Sequence, residues 1–150
     1  MARKRKKKAH PKFQIIGRLE MIMLPQLCPG TVEAKIDTGA YRTAIHSLSC
    51  REIDEGDKRV LEVIFDLDGS GARTLYFHDF MQKQVKSSFG NSELRYCVKV
   101  RIHIGSRKII SEISLTDRSD MRYQVLIGRK TLNQRFLVDT SSKFLLGNPR

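Results

Sequence analysis

Apolar and polar residues alternate in short stretches along most of this chain, and Gly, Pro, Asp, Asn and Ser cut one stretch from the next. Period-two alternation marks a strand with one buried face. The cleanest case is Val98-Lys99-Val100-Arg101-Ile102-His103-Ile104, which meets a Gly105-Ser106 turn leading to a partner strand. The pattern predicts strands at about residues 13–23, 31–37, 43–48, 59–67, 73–79, 84–88, 93–104, 108–116 and 123–127. Only residues 129–134 read as helix, followed by a closing hairpin of Phe136-Leu137-Val138 against Phe144-Leu145-Leu146. Many short strands, frequent turn signals and little helix predict an all-β fold, a small closed barrel with one short helix near the C-terminus.

Composition adds boundaries to this picture. At 150 residues the chain is long enough to bury a core and offers no sign of a second domain. Residues 1–12 are a basic tail containing Arg3-Lys4-Arg5-Lys6-Lys7-Lys8, a like-charge block expected to be disordered, and residues 13–150 are the folded domain. That block supplies six of the twelve net positive charges. The longest apolar-leaning stretch, residues 15–27, is broken by Gly17, Arg18, Glu20 and Pro25, so neither a membrane span nor a signal peptide is expected. Cys28, Cys50 and Cys97 are odd in number and irregular in spacing, which argues for free thiols in a reducing compartment. Cytoplasmic residence, without a membrane partner, is the expectation.

The chemistry concentrates at Asp37-Thr38-Gly39-Ala40. The strand-like Val32-Glu33-Ala34-Lys35-Ile36 delivers a carboxylate straight into a Thr-Gly turn. Asp, Thr and Gly also make a good strand-ending turn without any catalytic role, because Asp and Thr bond nearby backbone and Gly accepts positive φ. The other reading is an aspartic protease, in which two carboxylates lie so close that one keeps a proton while the other activates water. One motif per chain then requires a second chain, and the enzyme would be a homodimer.

A second element supports the protease reading: Val125-Leu126-Ile127-Gly128-Arg129-Lys130-Thr131-Leu132, an apolar strand that breaks at Gly and enters the helix. Together with Asp37-Thr38-Gly39 it resembles the retropepsins, single-domain aspartic proteases in which an apolar-apolar-Gly-Arg strand passes beside the Asp-Thr-Gly loop. Thr43-Ala44-Ile45-His46, Val85-Lys86-Ser87-Ser88-Phe89-Gly90, Leu115-Thr116-Asp117-Arg118-Ser119-Asp120-Met121 and Arg135-Phe136-Leu137-Val138-Asp139 extend the resemblance. They make it narrower, to the bacterial retropepsin-like family that is often labelled an ATP-dependent zinc protease and is associated with RimK-type glutamate ligases. It covers roughly residues 13–147.

The resemblance implies roles. Asp37 is the catalytic acid and base, Thr38 braces the paired loops across the two-fold axis, and Gly39 lets substrate backbone approach. Ala40 borders the substrate and offers no hydroxyl to the carboxylate. Ser88, Phe89 and Gly90 fall at the tip of the flap, the hairpin that closes over substrate, with Asp68-Gly69-Ser70-Gly71 as a rival tip. Ile127, Gly128 and Arg129 support the loop from behind. In the retroviral pattern an acid after Ala holds that Arg; here Tyr41 stands in its place, so the partner of Arg129 is open and a surface Arg at a helix start is the alternative.

The zinc and ATP labels find no residues to carry them. There is no His-Glu-x-x-His, no Cys-x-x-Cys and no phosphate-binding Gly-rich loop, and the histidines at 10, 46, 78 and 103 are scattered. No metal and no cofactor are expected. His46 and Cys50 as a thiol-protease pair lack a group to orient the imidazole. The charge excess and the ligase association point to an acidic substrate, an oligoglutamate extension. The alternative from another class is a non-catalytic basic module that binds RNA or the ribosome, and the tail gives even the protease a route to ribosome contact.

Overall fold

A computed structural model of the protein describes residues 13–86 and 89–149. The basic tail and Ser88 therefore lie outside the described residues. The strands are β1 (Gln14–Gly17), β2 (Leu19–Met23), β3 (Thr31–Ile36), β4 (Thr43–His46), β5 (Ser49–Glu55), β6 (Lys58–Phe65), β7 (Arg73–Phe77), β8 (Met81–Lys86), β9 (Ser92–Ile104), β10 (Arg107–Thr116), β11 (Val125–Ile127) and β12 (Phe136–Asp139). A single turn of helix, α1 (Arg129–Leu132), precedes β12. The described residues are all-β apart from that turn.

Six strands form a ring of hydrogen-bonded neighbours, in the order β10, β4, β11, β3, β2, β9, with β9 pairing back onto β10. Their alternation sends one face inward: β3 buries Val32, Ala34 and Ile36, and β9 buries Val98, Val100, Ile102 and Ile104. These residues pack with Ile22, Leu24, Ile45, Ile113, Leu115, Val125 and Ile127 into one core. Strand β4 is flanked on both sides, by β10 and β11, and all four of its residues are buried. Strand β8 hangs off β9 as a hairpin, while β5, β6 and β7 form a separate three-stranded sheet.

Three features depart from the sequence expectations. The strand expected over residues 13–23 is two strands in different sheets: β1 pairs in parallel with β12, whereas β2 pairs with β3 and β9. The break falls at Arg18, whose N–H goes to Ser142 O (2.8 Å), and Gly17 allows it because a Cβ there would lie 2.7 Å from the backbone at Ser142 and Lys143. Strand β5 was not expected, since Ser49-Cys50-Arg51-Glu52-Ile53-Asp54-Glu55 is mostly polar; it pairs with β6 through a turn at Gly56, where φ is 62°.

The closing hairpin does not form. β12 takes β1 as its partner, and residues 144–146 run beside the start of β2 instead. The Asp139 carboxylate caps the intervening turn by accepting from Ser141 N and Ser142 Oγ (both 2.9 Å). Glu20 is fully buried, and its carboxylate accepts the N–H groups of Gly17 (2.9 Å), Leu145 (2.9 Å) and Leu146 (3.3 Å). A buried carboxylate needs such donors, and residues 145 and 146 supply two of the three.

Candidate active site

Asp37 follows β3 directly. Its N–H donates to Ile127 O (2.9 Å), extending the parallel β3–β11 pairing by one bond, and its Oδ1 accepts the N–H of Gly39 (3.0 Å). Residues 37–42 then wrap around the chain leaving β11. Arg129 N donates to Ala40 O and Lys130 N to Tyr41 O, both at 2.8 Å. Gly128 sits inside the wrap: a Cβ there would meet the carbonyl carbon and oxygen of Arg42 at 2.6 Å. No larger residue fits without moving backbone.

Below the loop lies a buried chain of hydroxyls. Thr43 Oγ1 accepts from Gly128 N (3.1 Å) and bonds Thr131 Oγ1 (2.7 Å), which bonds Ser111 Oγ (2.8 Å). The chain ties β4, β10 and α1 to the back of the Asp37 loop.

Arg129 has its partners. Its guanidinium donates to Thr38 O (3.1 Å) and lies 5.8 Å from the centre of the Tyr41 ring, with Arg42 at 5.5 Å from the same ring. Thus Tyr41 meets two cations through its π face, an attraction suited to guanidinium groups.

Asp37 opens into a cavity of about 580 Å³. Gly39, Ala40, Phe89 and Arg129 also line it; Ile127 and Gly128 stand behind the loop, and Thr38 and Gly90 are exposed but do not line it. The cavity is overhung by the β8–β9 hairpin, whose register runs to Lys86 opposite Ser92. Phe89 at its tip is 89% exposed. The rival turn at residues 68–71 joins β6 to β7, and the Asp68 carboxylate is taken up by Gly30 N (2.7 Å), away from this cavity.

Two further residues belong to the site. Glu112 of β10 accepts on one oxygen from Lys83 Nζ (2.8 Å), Arg42 Nε (3.1 Å) and Lys130 Nζ (3.4 Å). The bond from Lys83, joined by the other cations, holds its pKa at about 2 against the ordinary 4.5. Through it, hairpin, loop and α1 meet at one carboxylate. Arg118 is only 8% exposed and lines the cavity with Asp37. Its N–H donates to His46 Nδ1 (2.8 Å) and its Nε to Tyr123 O (2.9 Å). The motif around Arg118 contributed to the resemblance, yet no alternation marks a buried cation, and sequence reasoning gave it no role.

The zinc label fits these residues poorly. Among the described residues no group of three or more His, Cys, Asp or Glu side chains is placed to hold a metal ion. The Nδ1 of His46 is already committed to Arg118. Among the same residues no helix is long and apolar enough to cross a membrane.

An Asp-Thr-Gly loop at the end of a strand, wrapped around a Gly-Arg strand end and facing a hairpin-covered cavity, has the architecture of the retropepsin-like aspartic proteases. The chain belongs to the RimB-like family, whose model, described as "Retropepsin-like aspartic endopeptidase RimB", matches residues 15–149. Among curated proteins it is 32% identical over 136 residues to a "Probable alpha-L-glutamate ligase" of Shewanella pealeana, covering 89% of this chain and 30% of that protein. A protein of the same description from Parasynechococcus marenigrum is 26% identical over 139 residues, with 91% and 30% covered. The chain thus spans about 30% of the length of the curated relatives it matches. Among solved structures, a Legionella pneumophila protein of unknown function superposes with a TM-score of 0.72 at 24% identity, over 88% of this chain and 97% of that one.

Proposed function

We propose that the protein is an aspartic-type peptidase that works as a homodimer, with Asp37 from each copy forming the carboxylate pair. The observation that carries this is the Asp37 loop itself: its carboxylate faces the cavity under the hairpin while backbone bonds from residues 127–130 hold the loop from behind. One ionised carboxylate takes a proton from water as the water oxygen attacks the peptide carbonyl, and the protonated carboxyl gives its proton to the carbonyl oxygen. Collapse of the resulting diol breaks the C–N bond as the amine nitrogen is protonated. In this reading Thr38, exposed beside Asp37, meets its counterpart in the second copy.

The substrate in this reading is an acidic peptide, an oligoglutamate extension on a protein. Two observations support it: relatives named probable glutamate ligases contain a segment similar to this chain, and the net charge of +12 favours anionic partners. Hydrolysis would undo what a ligase of that kind adds. The basic tail would assist by keeping the enzyme near nucleic acid or the ribosome in the cytoplasm.

The test is cleavage of a glutamate-rich peptide by wild type and Asp37→Asn, with oligomeric state measured on the same samples. Wild-type activity should fall on dilution as dimers separate, and Asp37→Asn should lose at least about a thousandfold in rate while melting normally. A fully active monomer, or an active Asn variant, refutes the mechanism.

A further inference from the structure

The cations around the Asp37 cavity are unequally satisfied. Arg42 is bonded to Glu112, Arg95 to Glu93, and Arg129 to the carbonyl of Thr38. Arg118 differs from all three. It is more than nine-tenths buried, where Arg129 is exposed; its Nε is held by Tyr123 O and, like Arg129, it makes no ion pair among the described residues. Burial pulls its guanidinium down and the neighbouring Arg95 adds to this, while only the Asp37 carboxylate opposes them.

A buried cation without a bonded anion is costly to keep. The fold nevertheless holds this one in a fixed pose. His46, 2% exposed, accepts the backbone N–H of Arg118, and Met121 N donates to Arg118 O (2.9 Å), closing the turn that carries it. With Nε tied back to a carbonyl, the two terminal nitrogens remain as a planar donor fork, the geometry that matches a carboxylate in two parallel hydrogen bonds. In the proposed dimer the shared proton leaves one negative charge on the Asp37 pair against two copies of Arg118, so an anion is still wanted.

We propose that Arg118 is a specificity residue that binds a substrate carboxylate next to the bond cleaved at Asp37. This rests on the reading of Asp37 as the hydrolytic carboxylate. The carboxylate comes either from an acidic side chain flanking the scissile bond or from the free C-terminus of the substrate; the first makes the enzyme an acidic endopeptidase and the second a trimming carboxypeptidase.

The experiment uses the full chain and four matched peptides, with Glu or Gln beside the cleaved bond and with the C-terminus free or amidated. Wild type should prefer the carboxylate form of one pair by at least about tenfold in kcat/KM, since a site built to bond a polar group discriminates against its absence. In Arg118→Gln the preference should collapse to within about twofold, through a raised KM for the carboxylate peptide and little change for the neutral one. Arg118→Lys, which keeps the charge but not the fork, should lose most of the preference; it serves as the readout if Arg118→Gln melts below the assay temperature. Equal wild-type rates across both pairs overturn the proposal, as does Arg118→Gln slowing all four peptides alike or Arg118→Lys retaining the wild-type ratio. In those cases cleavage still depends on Asp37 and the hydrolytic reading stands; cleavage that survives Asp37→Asn brings down both.

Discussion

The loop that carries Asp37 and the hairpin that covers it are built on opposite terms. The loop is wrapped around residues 127–130, closed by backbone hydrogen bonds and underlain by the buried Thr43, Thr131 and Ser111 hydroxyls. The hairpin of β8 with residues 92–96 of β9 is paired only to itself, shows most of its residues to solvent, and ends in a bare Phe89. In the peptidase proposed above, the reacting group needs fixed geometry, whereas its cover must open to admit substrate. Stability and access are therefore divided between the two regions, and Glu112 is where they touch.

The strongest way to break the contrast is to titrate that contact. A carboxylate held at about 2 stabilises the fold fully above its unfolded value near 4.5 and loses this contribution as pH falls through 2. Glu112→Gln should therefore be weaker than wild type by up to about 3 kcal/mol at pH 6, with the difference closing by pH 2. Urea unfolding at the two pH values reads this directly, and a difference independent of pH would mean that charge is not what joins loop to hairpin.

Next comes the wrap itself. Gly128→Ala drives a methyl to within 2.6 Å of the Arg42 backbone, so the loop must shift or the strand must bend, at about 2–3 kcal/mol. Both melting temperature and cleavage rate should drop. Normal stability with normal rate would show the loop to be softer than its hydrogen bonds suggest.

A smaller loss follows from Thr131→Val, which keeps the shape but strands the Ser111 hydroxyl and takes one of two partners from that of Thr43, at about 1–2 kcal/mol. Thermal unfolding measures it. The least effect on stability belongs to the hairpin: Phe89→Ala should change unfolding by less than about 0.5 kcal/mol, since nothing packs on an exposed ring. Its mark should appear in KM alone. A large stability loss there would erase the division between the two regions.

How far the sequence revealed this arrangement depended on whether the cause was local. Alternation marked β3 and β9 because each buries one face, and the Gly-Arg strand end was visible as an apolar run stopping at Gly128. Strand β5 was hidden because it is mostly polar and lies in a sheet outside the ring. The split of residues 13–23 was hidden for another reason: it is imposed by residues 142 and 143, far along the chain. The same holds for the missing closing hairpin, where a buried Glu20 claims residues 145 and 146. The partner of Arg129 is a main-chain carbonyl and a ring face, neither of which has a sequence signature. Arg118 reads as an ordinary charged turn residue, and only packing reveals it as a buried cation.

The pairing of β1 with β12 also sets an order of events during synthesis. Gln14 lies opposite Phe136, so β1 leaves the ribosome well before its partner strand is made. At about 5–20 residues per second, the intervening chain takes on the order of ten seconds to appear. Until then Ile16 has no partner strand and Glu20 lacks two of its three donors. The ring can begin to assemble once β10 and β11 have been made, whereas the edge formed by β1 closes only after β12 has followed. For that interval the newborn chain presents an unpaired strand carrying Ile15 and Ile16, an edge open to pairing with another chain.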